Sequence, residues 1–296
     1  MNTVLITGAS GLIGTRLKEN LVAKNYEVRL LSRSPRKGDY IWSPTDNYID
    51  KKVFENLDTI IHLAGATISK RWTNRYKKEL YDSRVNTVNL LFEKVKENNA
   101  QIKTFITASG VNYYGSETTQ KIYTEKDSHS DDFLGNLCYD LENSAYRFHK
   151  LNSRVCSVRT AAVLSAKRGM MGKLLPIFKL NLASPQGSGK QILPWIHLDD
   201  LVNLYIFLLE NPQLEGAFNA VSPHVVNNQQ FTQTLADCLG KKVLLPNIPT
   251  VFLKIIFGEM SSILLNGSTI SPNKIVQSGF NFQFENLEKS LKDLLK

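Results

Sequence analysis

An α/β fold with one parallel sheet wound on both faces is predicted by three features of the chain. Apolar, strand-like runs alternate with helical stretches through the first two thirds, at Val4–Thr7, Val28–Leu31, Thr59–Leu63, Thr104–Thr107 and Val155–Arg159. Gly8, Gly11 and Gly14 stand where the first of these runs passes into an amphipathic helix. The segment from Trp72 to Asn98 has no proline or glycine, and its Leu80, Val88, Leu91, Phe92 and Val95 fall at mostly helical spacing, as in one long crossover helix.

Composition bounds the class. A chain of 296 residues with 42% hydrophobic and 21% charged residues is ordinary for a globular protein and long enough for one large domain, or one domain plus a lobe. The chain enters a strand at once, so no secretory signal is expected. The apolar stretch from Val251 to Leu265 is broken by Lys254 and Glu259, too short and too charged to span a bilayer, so no membrane partner is expected. Cys138, Cys156 and Cys238 are odd in number and widely spaced, which fits reduced thiols in a cytoplasm and neither a disulfide framework nor a metal centre. The formal charge of +9 is spread over helices without a basic block, which argues against nucleic acid as a partner.

The first element pair carries the chemistry. In Thr7-Gly8-Ala9-Ser10-Gly11-Leu12-Ile13-Gly14 the glycines allow a tight turn and close approach of a pyrophosphate to backbone N–H groups, with Ser10, Gly11, Leu12, Ile13 and Gly14 at the start of the helix. Leu17 and Leu21 continue the helical stripe from Ile13. The next strand, Glu27–Leu31, ends in Ser32 and Arg33 where NAD sites place a carboxylate for the ribose. A guanidinium and a hydroxyl suit a 2′-phosphate instead, so NADP(H) is expected over NAD(H). His62-Leu63-Ala64-Gly65-Ala66 closes a later strand with small residues that leave room for adenine and ribose. Thr107, Ser109, Tyr113 and Tyr114 follow at the end of the next, where nicotinamide and substrate meet. After Leu164, glycines and prolines at 169, 172, 176, 185, 187 and 189 loosen the pattern. The expected organisation is therefore a Rossmann-type doubly wound parallel sheet over 1–165, to which 191–220 partly returns, and a smaller C-terminal α/β substrate lobe over 166–296.

These motifs, with Arg159-Thr160 and Trp195-Ile196-His197-Leu198-Asp199-Asp200, make the chain resemble the extended short-chain dehydrogenase/reductase superfamily nearly end to end. More narrowly, it resembles the bacterial "epimerase family protein" branch of the NAD-dependent epimerase/dehydratase family. That likeness rests on Trp72-Thr73, Ser83-Arg84, Gly187-Ser188-Gly189-Lys190-Gln191, Phe218-Asn219-Ala220-Val221-Ser222-Pro223 and Gly258-Glu259-Met260. From about Val243 the chain is similar to that branch's C-terminal domain of unknown function. The resemblance implies an NAD(P)-binding protein, and a homodimer paired through two long helices.

One departure bears on the reaction. The superfamily's Tyr-x-x-x-Lys is missing, and Leu134 and Cys138 stand at its two positions when Glu142 is aligned with the usual helix glutamate. A tyrosine without that lysine is ionised in about one part in a thousand at neutral pH, a handicap of about 4 kcal/mol for a phenolate base. Ser109 and Tyr114 are the candidate catalytic residues, and Arg84, Tyr113, Arg159, Lys190, Gln191, Trp195 and His197 the candidate contacts for a small polar or nucleotide-linked substrate. The expected function is an atypical oxidoreductase or epimerase-like enzyme; the alternative is a non-catalytic NADP(H) sensor or interaction protein.

Overall fold

The computed structural model describes residues 2–166 and 168–296. The chain opens with β1 (Thr3–Thr7), all five of whose residues are buried, and α1 (Leu12–Ala23), which turns Gly14, Leu17 and Leu21 inward. β2 (Glu27–Ser32) follows. Next comes a hairpin that the apolar pattern does not announce, β3 (Tyr40–Ser43) and β4 (Tyr48–Ile49), turned through Pro44–Asp46. β5 (Thr59–His62) is buried throughout. The expected crossover helix is α2 (Asn74–Tyr81) and α3 (Thr87–Glu97), joined by a π-helical stretch at Asp82–Asn86. β6 (Thr104–Gly110), β7 (Ile122–Tyr123), α4 (Phe133–Tyr146) and β8 (Arg154–Thr160) complete the first half. Asp132 starts α4 by accepting the Gly135 N–H at 2.7 Å, as an N-cap does.

The second half runs β9 (Ala162–Leu164), α5 (Gly169–Lys179), β10 (Trp195–His197), α6 (Leu198–Glu210), β11 (Gly216–Ala220), α7 (Asn228–Cys238), α8 (Thr250–Phe257), α9 (Ser262–Leu265), β12 (Thr269–Ile270), α10 (Asn273–Gln277) and α11 (Leu287–Leu294). Eight strands form the central sheet in the order β11-β8-β6-β5-β1-β2-β3-β4, with every pairing parallel except β3–β4. The period of two along each strand divides the core. Leu5, Ile60 and Phe105 pack with Val88, Leu91, Leu141 and Phe148 from α3, α4 and the turn that follows α4. Val4, Ile6 and Ile106 pack with Leu17, Leu21, Leu201 and Tyr205 from α1 and α6. The sheet is thus covered on both faces, as a Rossmann-type fold requires.

A third cluster belongs to the lobe: Met171 and Phe178 of α5, Trp195, Phe231 and Leu235 of α7, and Leu287 and Leu291 of α11. The lobe is not a clean C-terminal piece. Ile275, Phe280 and Phe282 return to the main core beside α6, and β11 extends the main sheet beyond β8. β1 lies between β5 and β2, so successive connections leave it in opposite directions. A crevice opens at the carboxyl ends of the strands at such a point. No helix among the described residues is long and apolar enough to cross a membrane.

Candidate dinucleotide site and adjoining polar pocket

The glycine turn at the crevice is a close fit of backbone on backbone. Gly8 has φ +71°, and a Cβ there would lie 2.8 Å from the Ala64 nitrogen. A Cβ on Gly14 would lie 2.6 Å from the Gly8 carbonyl oxygen, so the first turn of α1 packs on the loop only without a side chain. The Gly11 N–H donates to the Gly8 carbonyl at 3.0 Å, while Ser10 and Gly11 face solvent. Gly11 is the N-cap of α1; no side chain caps the helix and no acid occupies its first turn. The first-turn N–H groups of Leu12, Ile13 and Gly14 and the helix dipole remain available to an anion, and the cradle fits a dinucleotide pyrophosphate.

The opposite wall is Leu63–Ala66, and it is held from behind. The Thr7 hydroxyl oxygen accepts the N–H groups of Leu63 and Ala64, both at 3.2 Å, and lies 2.8 Å from His62 Nδ1. With both N–H groups accepted, the Thr7 hydroxyl proton points to Nδ1, which leaves the ring proton on Nε2 to reach Thr87 Oγ1 at 3.2 Å. Full burial pulls the His62 pKa down to about 3, so the ring is neutral. The π-helical stretch brings two more side chains to the loop: Ser83 Oγ accepts the Ala66 N–H at 2.9 Å, and Arg84 Nη2 donates to the Ala66 carbonyl at 2.8 Å. Gly65 rests on the Arg84 guanidinium, where a Cβ would lie 3.0 Å from Cζ.

Arg84, expected to touch substrate, therefore braces the loop from beneath. It bonds to the carbonyls of Ala66 and Leu80 and pairs with no carboxylate among the described residues, and burial lowers its pKa. Thr107, expected at the cofactor, has its side chain wholly buried in β6, and its Oγ1 has no hydrogen-bond partner among the described residues. At the end of β2 the Ser32 hydroxyl accepts the Ser34 N–H at 3.2 Å. Arg33 is exposed and has no hydrogen-bond or ion-pair partner among the described residues.

Leu134 and Cys138 are both buried, and burial pushes the Cys138 thiol up to about 11. Beside them lies a polar chain whose centre sequence reasoning used only as an alignment anchor, Glu142. Ser109 Oγ donates to Glu142 Oε1 at 2.7 Å, and Arg159 binds the same carboxylate through Nε at 2.9 Å and Nη2 at 2.8 Å. Arg159 Nη1 donates to the Tyr114 hydroxyl at 2.9 Å, which donates to Asn219 Oδ1 at 2.7 Å. The guanidinium lies over the Tyr113 ring, 3.4 Å from its centroid. Burial outweighs the nearby guanidinium and pushes the Tyr114 phenol up to about 12. Tyr113, Glu142 and Arg159 open into a pocket of about 590 Å³ with Glu125, Tyr139, Tyr146 and Lys274.

Three expected substrate contacts are engaged inside the fold. Gln191 Nε2 donates to the carbonyls of Gln186 and Leu264, both at 2.9 Å. The Trp195 indole donates to the His224 carbonyl at 3.0 Å in the lobe core. His197 caps α6 by accepting the Asp199 N–H at 3.1 Å, and its ring stacks on Phe284 at 3.8 Å. The tryptophan and histidine are buried by packing that their apolar neighbours foreshadow, and Gln191 by a loop without periodicity. Lys190 is exposed.

Sheet order and glycine cradle together define a dinucleotide-binding α/β protein of the Rossmann type. Residues 4–222 match the NAD dependent epimerase/dehydratase family and residues 248–294 match a domain of unknown function, DUF1731. The chain belongs to that epimerase/dehydratase family. An epimerase family protein of Staphylococcus aureus is 32% identical over 305 residues, covering 100% of both chains. The mouse epimerase family protein SDR39U1 is 32% identical over 296 residues, covering 99% of each. The crystal structure of human epimerase family protein SDR39U1 (isoform 2) with NADPH superposes with a TM-score of 0.89 at 31% identity, covering 99% of both chains. A UDP-N-acetylglucosamine 4-epimerase from Bacillus cereus shares the fold at TM-score 0.79 and 19% identity, covering 100% of this chain and 98% of that one.

Proposed function

We propose that the chain binds NADP(H) across the crevice and acts as an oxidoreductase or epimerase-like enzyme on a small polar substrate. The observation that carries the cofactor choice is Arg33, an exposed, unpaired guanidinium at the end of β2, where a carboxylate would serve a ribose. The human relative crystallised with NADPH supports the same choice. The nicotinamide would supply or accept the hydride. The protein must then move a proton, and Ser109 is placed for it: its hydroxyl is half-buried, already donates to Glu142, and keeps lone pairs for a substrate hydroxyl. The polar pocket with Arg159, Lys274 and Glu125 fits a ligand with hydroxyl or anionic groups, and three unpaired thiols fit a reducing cytoplasm.

A second reading has its own support. Leu134 and Cys138, which the alignment on Glu142 sets at the two catalytic positions, have buried side chains, and the Tyr114 hydroxyl is saturated by protein partners, as in a cofactor binder without turnover. Fluorescence titration with NADPH and NADH, repeated on Arg33→Ala, tests the cofactor. Selective loss of NADPH binding in the variant supports the assignment, and unchanged affinity overturns it. NADPH oxidation across a carbonyl library then separates enzyme from sensor: turnover abolished in Ser109→Ala favours the enzyme, and no turnover favours the sensor.

A further inference from the structure

We propose that the face built by α8 and the ribbon leading into it docks on an anionic phospholipid bilayer, as a surface attachment and not a span. α8 is apolar on two opposite sides. Leu253 and Phe257 turn inward, whereas Val251, Phe252, Ile255 and Ile256 are between 59% and 65% exposed on one contiguous face. Isolated exposed aliphatics are normal on a protein surface, but four on one helical face are not. The preceding chain continues the patch. The segments around 181–187 and 242–248 run side by side, joined by Gly187 N–H to the Ile248 carbonyl at 2.9 Å and Ile248 N–H to the Pro185 carbonyl at 2.8 Å. Along them Leu180, Leu182 and Leu244 are exposed.

Charge selects the occupant. No aspartate or glutamate occurs between Glu142 and Asp199, nor between Asp237 and Glu259, the stretches that supply this face. Lys179, Lys190, Lys242 and Lys254 are exposed there, and the whole chain carries +9. An apolar helix face set among lysines, with Glu259 just beyond its end already paired with Lys77, has the composition of an interfacial helix on acidic lipid. A second copy pairing through a twofold axis would set this cationic face against itself, which like-charge repulsion opposes. The sequence-based expectation of no membrane partner rests on charge interrupting the run from Val251 to Leu265. That interruption excludes a span and leaves surface attachment open.

Co-sedimentation of the full chain with phosphatidylcholine vesicles, with and without phosphatidylglycerol, tests the proposal at low and high salt. Binding is expected only to the phosphatidylglycerol vesicles, weakening as salt rises. Ile255→Asn/Ile256→Asn should lower the partition about ten-fold or more while NADPH affinity and melting temperature hold. No binding to the acidic vesicles at low salt overturns the proposal, as does equal partition of the variant. A solution dimer that the same variant converts to monomer overturns it too, because the face then belongs to a second copy.

Discussion

Glu142 and Arg159 face each other through two parallel hydrogen bonds, 2.9 and 2.8 Å long, with both side chains almost wholly out of solvent. The pair also ties three elements together, because Ser109 of β6 and Tyr114 bond to it as α4 and β8 do. A buried pair contributes little beyond its own desolvation, but removing one member strands the other charge. Glu142→Leu is expected to destabilise the protein by roughly 3–5 kcal/mol, read from the urea midpoint. Glu142→Leu/Arg159→Met should recover much of that loss. A double variant no more stable than the single one would show that the stranded guanidinium is not the cause.

Gly14→Ala probes the cradle. Its Cβ would stand 2.6 Å from the Gly8 oxygen and 2.7 Å from the Ala9 Cα, both backbone atoms that no rotamer change can move. The start of α1 must shift away from the turn, at a cost of about 1–3 kcal/mol. NADPH affinity should fall well beyond that of a control such as Gly240→Ala, where φ is +63° and an alanine meets backbone strain but no atom within 4 Å. A titration finding wild-type affinity for Gly14→Ala would detach the turn from the cofactor.

What could be read from the sequence was whatever a local pattern encodes. The continuous apolar run Val4–Thr7, the glycine spacing and the uninterrupted run from Trp72 to Asn98 each predict helix or strand where it forms, the last as α2 and α3 joined by the π-helical stretch. The β3–β4 hairpin escaped because strands of four and two residues hold too few side chains to show alternation. Arg84 was misassigned for a different reason. Only the π-helical turn at Asp82–Asn86 aims it at the Ala66 carbonyl, and residue type does not reveal such a turn. Gln191 and His197 carry groups that serve ligands or backbone equally well, and the choice is made by residues far along the chain, Leu264 and Phe284.

Acid should weaken the protein through His62. Its pKa is 6.5 in the unfolded chain and about 3 in the native state, so between those values the unfolded chain holds a proton that the fold refuses. Stability is complete above 6.5 and declines as pH falls toward the native value. From pH 6.5 to 5 this one group costs about 2 kcal/mol. Urea midpoints measured across that range should flatten in His62→Gln. Parallel profiles for the two proteins would mean that His62 is charged in the fold.

The thiols should divide sharply. Cys138 and Cys156 are buried, and burial pushes both up to about 11, whereas Cys238 is only half-buried. At pH 8 a thiol reagent should label Cys238 alone in the native protein and all three on unfolding. Mass spectrometry of digested protein reads the sites. Rapid labelling of Cys138 would instead mark an accessible thiolate and reopen a nucleophilic role.

Tyr114 was expected to be catalytic, and its surroundings give it a structural task. The hydroxyl accepts from Arg159 and donates to Asn219, whose Nδ2 in turn donates to the Ser271 carbonyl at 3.0 Å. With the phenol pushed up to about 12, a phenolate base is scarcer at neutral pH than for a free tyrosine. Tyr114→Phe leaves Asn219 Oδ1 and one Arg159 N–H without their partner, a loss of about 1–3 kcal/mol. The melting temperature should drop while NADPH affinity, and the pH profile of any turnover, stay as in the wild type. A profile that loses its alkaline limb in Tyr114→Phe at unchanged stability would return the residue to the chemistry.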